Sequence, residues 1–306
     1  MKERRYMPLK WLFGALSRLP FRVLYMLSDI LFVVLYYIAS YRRKVVEDNV
    51  NGSFPDRTSK ERYRIVRQFY RNLSDYFFET IKLNHVGDEE IRSRMRFEGM
   101  DVVDRLFAQG RSITAFFSHC GNWEWVTSIT LWSRFKCNEQ AYFCQVYRPL
   151  TNDFFDRYFL HLRSRFNSLS FKKKTVFRDL LMLHRDGKPS ITGFMSDQKP
   201  SHGDPVHVVR FLNRPTAVIT GTETLSRRLG NAVVYLDMHK ESRGHYKVVV
   251  RLMSEDVSVL PEYALTDRYV SLLQQTINRN PAIWLWSHKR WKHPVTFPEN
   301  ERPEKR

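Results

Sequence analysis

The chain of 306 residues is long enough for one large or two small domains, and a 43% apolar, 14% aromatic composition supports a substantial core. It carries 50 Lys and Arg against 32 Asp and Glu, a net charge of +18, which favours anionic partners such as a membrane surface, nucleic acid or an acidic carrier protein. No zinc-finger spacing or RNA-recognition signature accompanies the charge, which argues against nucleic acid. The three cysteines, Cys120, Cys137 and Cys144, have no framework spacing and read as free thiols.

Residues 1–22 intersperse Lys2, Arg4, Arg5, Lys10, Arg18 and Arg22 with Trp11, Leu12, Phe13 and Leu16. Val23 to Ala39 is apolar apart from Ser28 and Asp29, and Arg42-Arg-Lys44 follows. A bilayer span needs roughly 20 apolar residues, so this stretch fits either a single span or a helix lying in the interface. Asp29 is costly in lipid and leaves a buried globular helix as the bland alternative. No small-residue cleavage site follows, which argues against a removed signal peptide. Positive charge at both ends leaves orientation undecided. We take residues 1–45 as an anchoring segment and 46–306 as the main domain.

Asn51-Gly-Ser-Phe-Pro55 is a turn cluster, and Thr58 or Ser59 opens a long helix to about Asn84. Tyr63, Val66, Phe69, Tyr70, Leu73, Phe77 and Ile81 recur on one face at helical spacing. From Met95 onward strands and helices alternate. Met95–Glu98 reads as a strand and Met100–Gln109 as a helix ending at Gly110. Ser112–Ser118 is a short apolar run ending at Gly121-Asn122, hence a buried strand. Trp123–Leu131 reads as a helix with Asn122 as N-cap. Gln140–Tyr147 is the next strand, followed by helices over Asn152–Phe166 and Thr175–Arg185. Pro189–Met195 and Val206–Leu212 read as strands and Thr216–Leu229 as a helix. Ala232–Met238 and Tyr246–Leu252 form a hairpin, and Tyr263–Asn278 is the last clear helix. The alternation predicts an α/β fold, a mixed sheet flanked by helices. The tail after Pro298 is charged and expected to lack order.

His119 falls at the carboxyl end of the central strand, where open α/β sheets place their ligands. Glu124 follows five residues later. On one helix that separation is about 500° of turn, so the two side chains would diverge. Across a strand–turn–helix corner they can meet. A carboxylate there would hold the imidazole in one tautomer and leave the other nitrogen to take a proton from a hydroxyl. The bland alternative is a buried His beside a Glu that favours the helix dipole. Cys120 offers a rival, a thiol nucleophile with His119 as base, though neighbours on a chain tend to diverge at a strand end.

Tyr147-Arg148-Pro149 follows a strand directly. Pro149 biases Arg148 to extended backbone, and its guanidinium could stabilise an oxyanion or bind phosphate, or else pair with Asp153 or Asp156. In Ser196-Asp197-Gln198-Lys199-Pro200, Asp197 could orient Arg148, His119 or a sugar hydroxyl, and Lys199 could meet phosphate; an Asp-turn with an exposed Lys is the plain alternative. Lys172-Lys-Lys174 is a charge run that suits a solvated face, an acidic carrier protein or a phosphorylated head group. Trp284, Trp286 and Trp291 alternate with His288, Lys289, Arg290, Lys292 and His293, an interfacial mixture or else a packed terminal helix. No metal-ligand spacing, Walker loop or dinucleotide fingerprint is present, so no cofactor is implied.

His119-Cys-Gly-Asn-Trp-Glu124 resembles the His-x4-Asp/Glu signature of the lysophospholipid acyltransferase superfamily, in the form found in bacterial lipid A biosynthesis (late) acyltransferases. Tyr147-Arg-Pro149, Ser196-Asp-Gln198 and Trp284-Leu-Trp-Ser-His-Lys-Arg-Trp291 agree in order. The resemblance covers most of the chain. It implies a glycerolipid acyltransferase-like sandwich and acyl transfer from a thioester, on acyl carrier protein or coenzyme A, to a membrane glycolipid acceptor, a lipid A precursor. It also implies attachment to the inner membrane with the catalytic part on the cytoplasmic face. His119 and Glu124 would be catalytic, and Arg148, Asp197, Gln198 and Lys199 would bind substrate. The 196–200 loop runs to Lys and Pro where relatives often carry acidic or aromatic residues, which leaves other glycolipid, phospholipid or aminolipid acceptors open, as well as a Cys120/His119 thioester hydrolase.

Overall fold

The computed structural model describes residues 2–297. The expectation for the tail after Pro298 falls outside the described residues. Helices α1 (Lys2–Arg18) and α2 (Phe21–Val33) meet at Leu19-Pro20, and a π-helical turn (Val34–Ile38) extends α2. Helix α3 (Arg43–Ser53) follows, then the long α4 (Ser59–Lys82). Thr58 and Glu61 close a reciprocal capping box at the start of α4, satisfying two otherwise orphan backbone donors. Short α5 (Asp88–Arg94) leads into β1 (Met95–Glu98), α6 (Met100–Ala108) and β2 (Ile113–Phe117). After a 3₁₀ segment at Trp123–Leu131 come β3 (Tyr142–Tyr147), α7 (Asp153–Arg163), β4 (Leu169–Lys172), α8 (Val176–Arg185) and β5 (Ser190–Met195). The chain ends through β6 (Val206–Phe211), β7 (Arg214–Ile219), α9 (Gly221–Leu229), β8 (Ala232–Ser242), β9 (His245–Ser254) and α10 (Ala264–Arg279).

Seven strands form one sheet in the order β1-β9-β8-β2-β5-β3-β4. Among the described residues of this sheet only β8–β9 pair antiparallel, so the sheet is mixed, as the alternation predicts. Strand β2 lies at its centre with all five residues buried, which explains its unbroken apolar run. Parallel pairing of β2 with β5 sets Phe117 beside Met195, so the segments leaving both strands emerge side by side at one sheet edge.

Three expectations are corrected. Thr216–Ile219 is strand, not the start of a helix: Leu212 and Asn213 take positive φ, the chain reverses, and β7 pairs antiparallel with β6. Its β-branched Thr216, Val218 and Ile219 suit that pairing. The segment after Asn122 is 3₁₀ where an α-helix was expected, although Asn122 caps it by accepting from the Trp125 N–H. The Trp284–Trp291 stretch is neither a terminal helix nor an interfacial belt. Trp284 and Trp286 are buried, and Trp291 packs on Phe211 and Trp284.

On α4 the predicted apolar face is buried at Val66, Phe69, Tyr70 and Ile81, while Tyr63 and Phe77 stay exposed. Asp75 and Glu79 are buried on the same helix. The Glu79 carboxyl accepts from Tyr25 of α2, from Asn122 of the turn after β2, and from Tyr246 of β9. Burial raises its pKa. Glu79→Ala strands three donors at once, Asn122 and Tyr246 fully buried and Tyr25 half-buried. It is expected to lower unfolding stability on the order of 3 kcal/mol, read as a reduced urea midpoint at unchanged slope.

Candidate active site

The turn after β2 and the turn after β5 build the site together. Asp197 is buried and its carboxylate receives three donors. The His119 backbone N–H reaches Oδ2 at 3.0 Å, the His119 Nδ1 contacts Oδ1 at 2.8 Å, and the Trp284 indole N–H reaches Oδ2 at 2.9 Å. A carboxylate only accepts, so Nδ1 carries the proton in this contact and Nε2 presents a bare lone pair. The Gln198 amide lies 3.1 Å from that Nε2. Burial would raise the Asp197 carboxyl, but His119 outweighs it and holds the pKa at about 2.

Glu124 does not stand where the five-residue spacing suggested. It too is buried, and both of its oxygens are taken by one guanidinium. Arg163 Nε donates to Oε2 at 2.8 Å and Nη2 to Oε1 at 2.7 Å. The physical reason is geometric: a two-pronged bond from α7 satisfies a buried carboxylate better than one edge of an imidazole. The imidazole's carboxylate therefore comes from a residue 78 positions downstream. The Asp197 prospect of orienting His119 is the one the geometry realises, in preference to Arg148 or a sugar hydroxyl. Arg163, at the end of α7, is the residue that sequence reasoning missed; its only signal was one basic side chain in a helix already rich in charge.

The remaining predicted residues spread around this centre. Arg148 is exposed and donates to Ser201 Oγ at 3.4 Å, and pairs with neither Asp153 nor Asp156. Lys199 is half-buried and gives its backbone N–H to His288 Nε2 at 3.1 Å. Burial, only partly offset by Asp197, pushes the His288 imidazole down to about 4, so it accepts as a neutral ring. In the basic run, Lys173 pairs with Asp204 at 2.8 Å. Cys120 is fully buried, and burial pushes its thiol well above the ordinary range. That removes the thiolate a cysteine nucleophile requires.

Beside Glu124 lies a narrow apolar pocket with an open interior of about 50 Å³. It runs under β2, β5 and β3, between Ala115, Phe117, Gly193, Met195 and Phe143 of the sheet and Val126 and Ile129 of the 3₁₀ segment. Its few polar groups are Glu124, Arg163, Gln145, Thr127 and Ser168. Gly193 keeps the lumen open: a Cβ there would stand 3.0 Å from Phe117 Cε1. His119 is not part of this lining, but Trp123 joins the two regions. Its ring packs edge-on to the imidazole at 5.1 Å and also lines the pocket.

A base that can take an alcohol proton, set next to a slot shaped for hydrocarbon, defines an α/β enzyme that handles acyl groups. The comparison with known proteins sharpens this. Residues 8–293 match the family model of bacterial lipid A biosynthesis acyltransferases, and the chain belongs to that family; it is an acyltransferase. Similar proteins include the lipid A biosynthesis palmitoleoyltransferase and lauroyltransferase of Escherichia coli (strain K12) and the lipid A biosynthesis acyltransferase of Shigella flexneri. Each is 23% identical over 277 residues, spanning 90% of this chain and 87% of the relative.

The depressed Asp197 carboxyl carries a stability consequence. Its folded pKa lies below the ordinary value, so its contribution is complete above about pH 4 and is lost as pH falls through about 2. Asp197→Asn is expected to cost about 2 kcal/mol at neutral pH. Denaturant titrations across pH should show the gap between variant and parent closing as pH drops toward 2.

Proposed function

We propose that this acyltransferase moves a fatty acyl group from a thioester, borne by an acyl carrier protein or coenzyme A, to a hydroxyl of a lipid A precursor at the cytoplasmic face of the inner membrane. The observation that carries the reading is the 2.8 Å contact of His119 with Asp197, which leaves Nε2, 3.1 Å from the Gln198 amide, as an acceptor. The family match and the three lipid A relatives support the acceptor.

In this mechanism the acceptor hydroxyl displaces the Gln198 amide and gives its proton to His119 Nε2 as its oxygen attacks the thioester carbon. Asp197 stabilises the imidazolium that forms. The tetrahedral oxyanion falls near the open start of the 3₁₀ segment, where the Trp123 and Glu124 N–H groups have no backbone partner among the described residues. Arg163 adds positive charge on the same side. Its Nε and Nη2 are bound to Glu124, so Glu124 acts by fixing that guanidinium and balancing its charge. The C–S bond then breaks, and the departing thiolate takes the proton back from Nε2. The acyl chain lies in the pocket under β2 and β5. Arg148 and Lys199, on the loops after β3 and β5, meet acceptor or donor phosphate.

His119→Ala and Asp197→Asn are each expected to lower acyl transfer by about 10²–10⁴-fold, with Glu124→Ala falling comparably through loss of the Arg163 clamp. Mass spectrometry of the acceptor should gain one acyl group with the parent protein and none with His119→Ala. Retained transfer in His119→Ala would sink the proposal.

The pocket makes a separate prediction. Gly193→Val fills the lumen against Phe117, so the preferred donor should shift to shorter chains. A panel of thioesters of graded length reads this as a fall in kcat/KM for long donors with short donors spared.

A further inference from the structure

The tryptophan-rich segment near the C-terminus takes no direct part in proton transfer, yet it touches both turns that build the site. From the turn after β2, the Gly121 N–H donates to the Ile283 carbonyl at 2.9 Å. On the turn after β5, Asp197 Oδ2 accepts the Trp284 indole N–H at 2.9 Å, and the Lys199 N–H donates to His288 Nε2 at 3.1 Å. Residues 283–288 thus lie across both turns. One bond reaches the carboxylate that orients His119. Another holds the neighbour of Gln198, whose amide stands 3.1 Å from the bare Nε2.

The same segment is anchored to the rest of the fold. Asn49 of α3, itself buried, gives its amide to the Trp286 and His288 carbonyls, both at 2.8 Å. Arg42 donates to the Ser287 carbonyl at 3.1 Å. Trp286 is fully buried and donates to the Pro281 carbonyl at 2.6 Å. Arg290 and Trp291 bind β7 through the Ala217 carbonyl at 2.7 Å and Thr216 Oγ1 at 2.8 Å. A donor held by such a network meets the carboxylate in one geometry, without the rotamer freedom that a surface side chain would have to lose.

We propose that Trp284 and His288 are positioning residues for acyl transfer: the Trp284 indole N–H aligns the Asp197 carboxylate with the His119 ring, and the His288 imidazole fixes the loop that sets Gln198 against Nε2. The proposal rests on the acid–base reading of His119 above and deepens it.

Trp284→Phe tests the first part. It keeps an aromatic ring among Phe211, Trp286 and Trp291 but leaves Oδ2 with the His119 N–H alone. It is expected to lower kcat about tenfold with KM for the thioester little changed. Deprived of one donor, the carboxylate attracts the imidazolium more strongly, so the acid limb of the kcat/KM–pH profile should move to higher pH. The neighbours of this carboxylate keep one charge state between about pH 5 and 9. Burial pushes Cys120, Tyr235 and Tyr269 up, and it takes His288 down to about 4 and Arg290 down to about 10. Lys199 adds a positive charge beside His288. A limb that stays in place or moves to lower pH overturns the proposal, since a merely structural role would lower the folded fraction without moving it.

His288→Gln keeps an acceptor for the Lys199 N–H and should retain most of the parent kcat/KM for the acceptor. His288→Leu removes it and should cost about tenfold. Equal rates in the two variants also overturn the proposal. The His119 Nδ1–H proton resonance, assigned by its loss in His119→Ala, reads the alignment without turnover. It should move in Trp284→Phe, and an unmoved resonance is a further refutation. A parent protein that transfers no acyl group while this resonance still shifts would count against the enzymatic reading alone.

Discussion

The buried carboxylate of Asp197 is the constraint around which the site is arranged. A carboxylate removed from water is tolerated only when its lone pairs are used and its charge is answered. Here the donors come from two distant parts of the chain, the end of β2 through His119 and the C-terminal segment through Trp284, and they meet on the turn after β5. Each bond therefore fixes a tertiary contact as well as a side chain. The backbone N–H of His119 and its ring both reach the same carboxylate, so the imidazole has little freedom to turn. One interaction thus sets the tautomer, the ring orientation and the seating of the terminal tryptophans.

Two buried carboxylates sharing one partner would repel and raise one another's pKa. The structure separates them by giving each its own donor: the His119 imidazole for Asp197 and the Arg163 guanidinium for Glu124. Trp123 sits between the two pairs, against the imidazole on one side and stacked on Tyr76 at 4.0 Å. The arrangement divides labour. The pair at the sheet edge can move a proton, because a ring nitrogen remains bare. The Arg163 pair cannot, since both carboxylate oxygens are engaged and guanidinium does not release its proton; it can only hold charge in place.

Much of this is legible in the sequence, and the gaps have physical causes. The apolar run of β2, the Asn122 cap and the alternation of elements follow from local sequence, so they were readable. Asp197 was recognisable as a candidate because it follows a strand, but its partner was not, since the parallel pairing of β2 with β5 brings distant residues together. Glu124 was given the imidazole on proximity in sequence, which ignores what α7 brings across. The Trp-rich terminus was misjudged because aromatic and basic residues alternate both at membrane surfaces and in cores whose indole N–H groups need acceptors; Asp197 and the Pro281 carbonyl supply those acceptors. Helices α3 and α5 and strand β4 went unread because each is short and mostly polar, with stability drawn from packing rather than pattern.

Glu79 joins the two halves of the molecule's task. Its carboxyl takes a hydrogen bond from Tyr25 on α2 and another from Asn122, the residue that caps the turn between His119 and Glu124. Its backbone carbonyl also receives the Trp125 indole N–H. Helix α2 and the turn between His119 and Glu124 thus share one buried acceptor. A buried network of this kind moves only if several bonds break together. Seating of α2 and shaping of the site turn are therefore not independent: loosening one withdraws a partner that the other depends on.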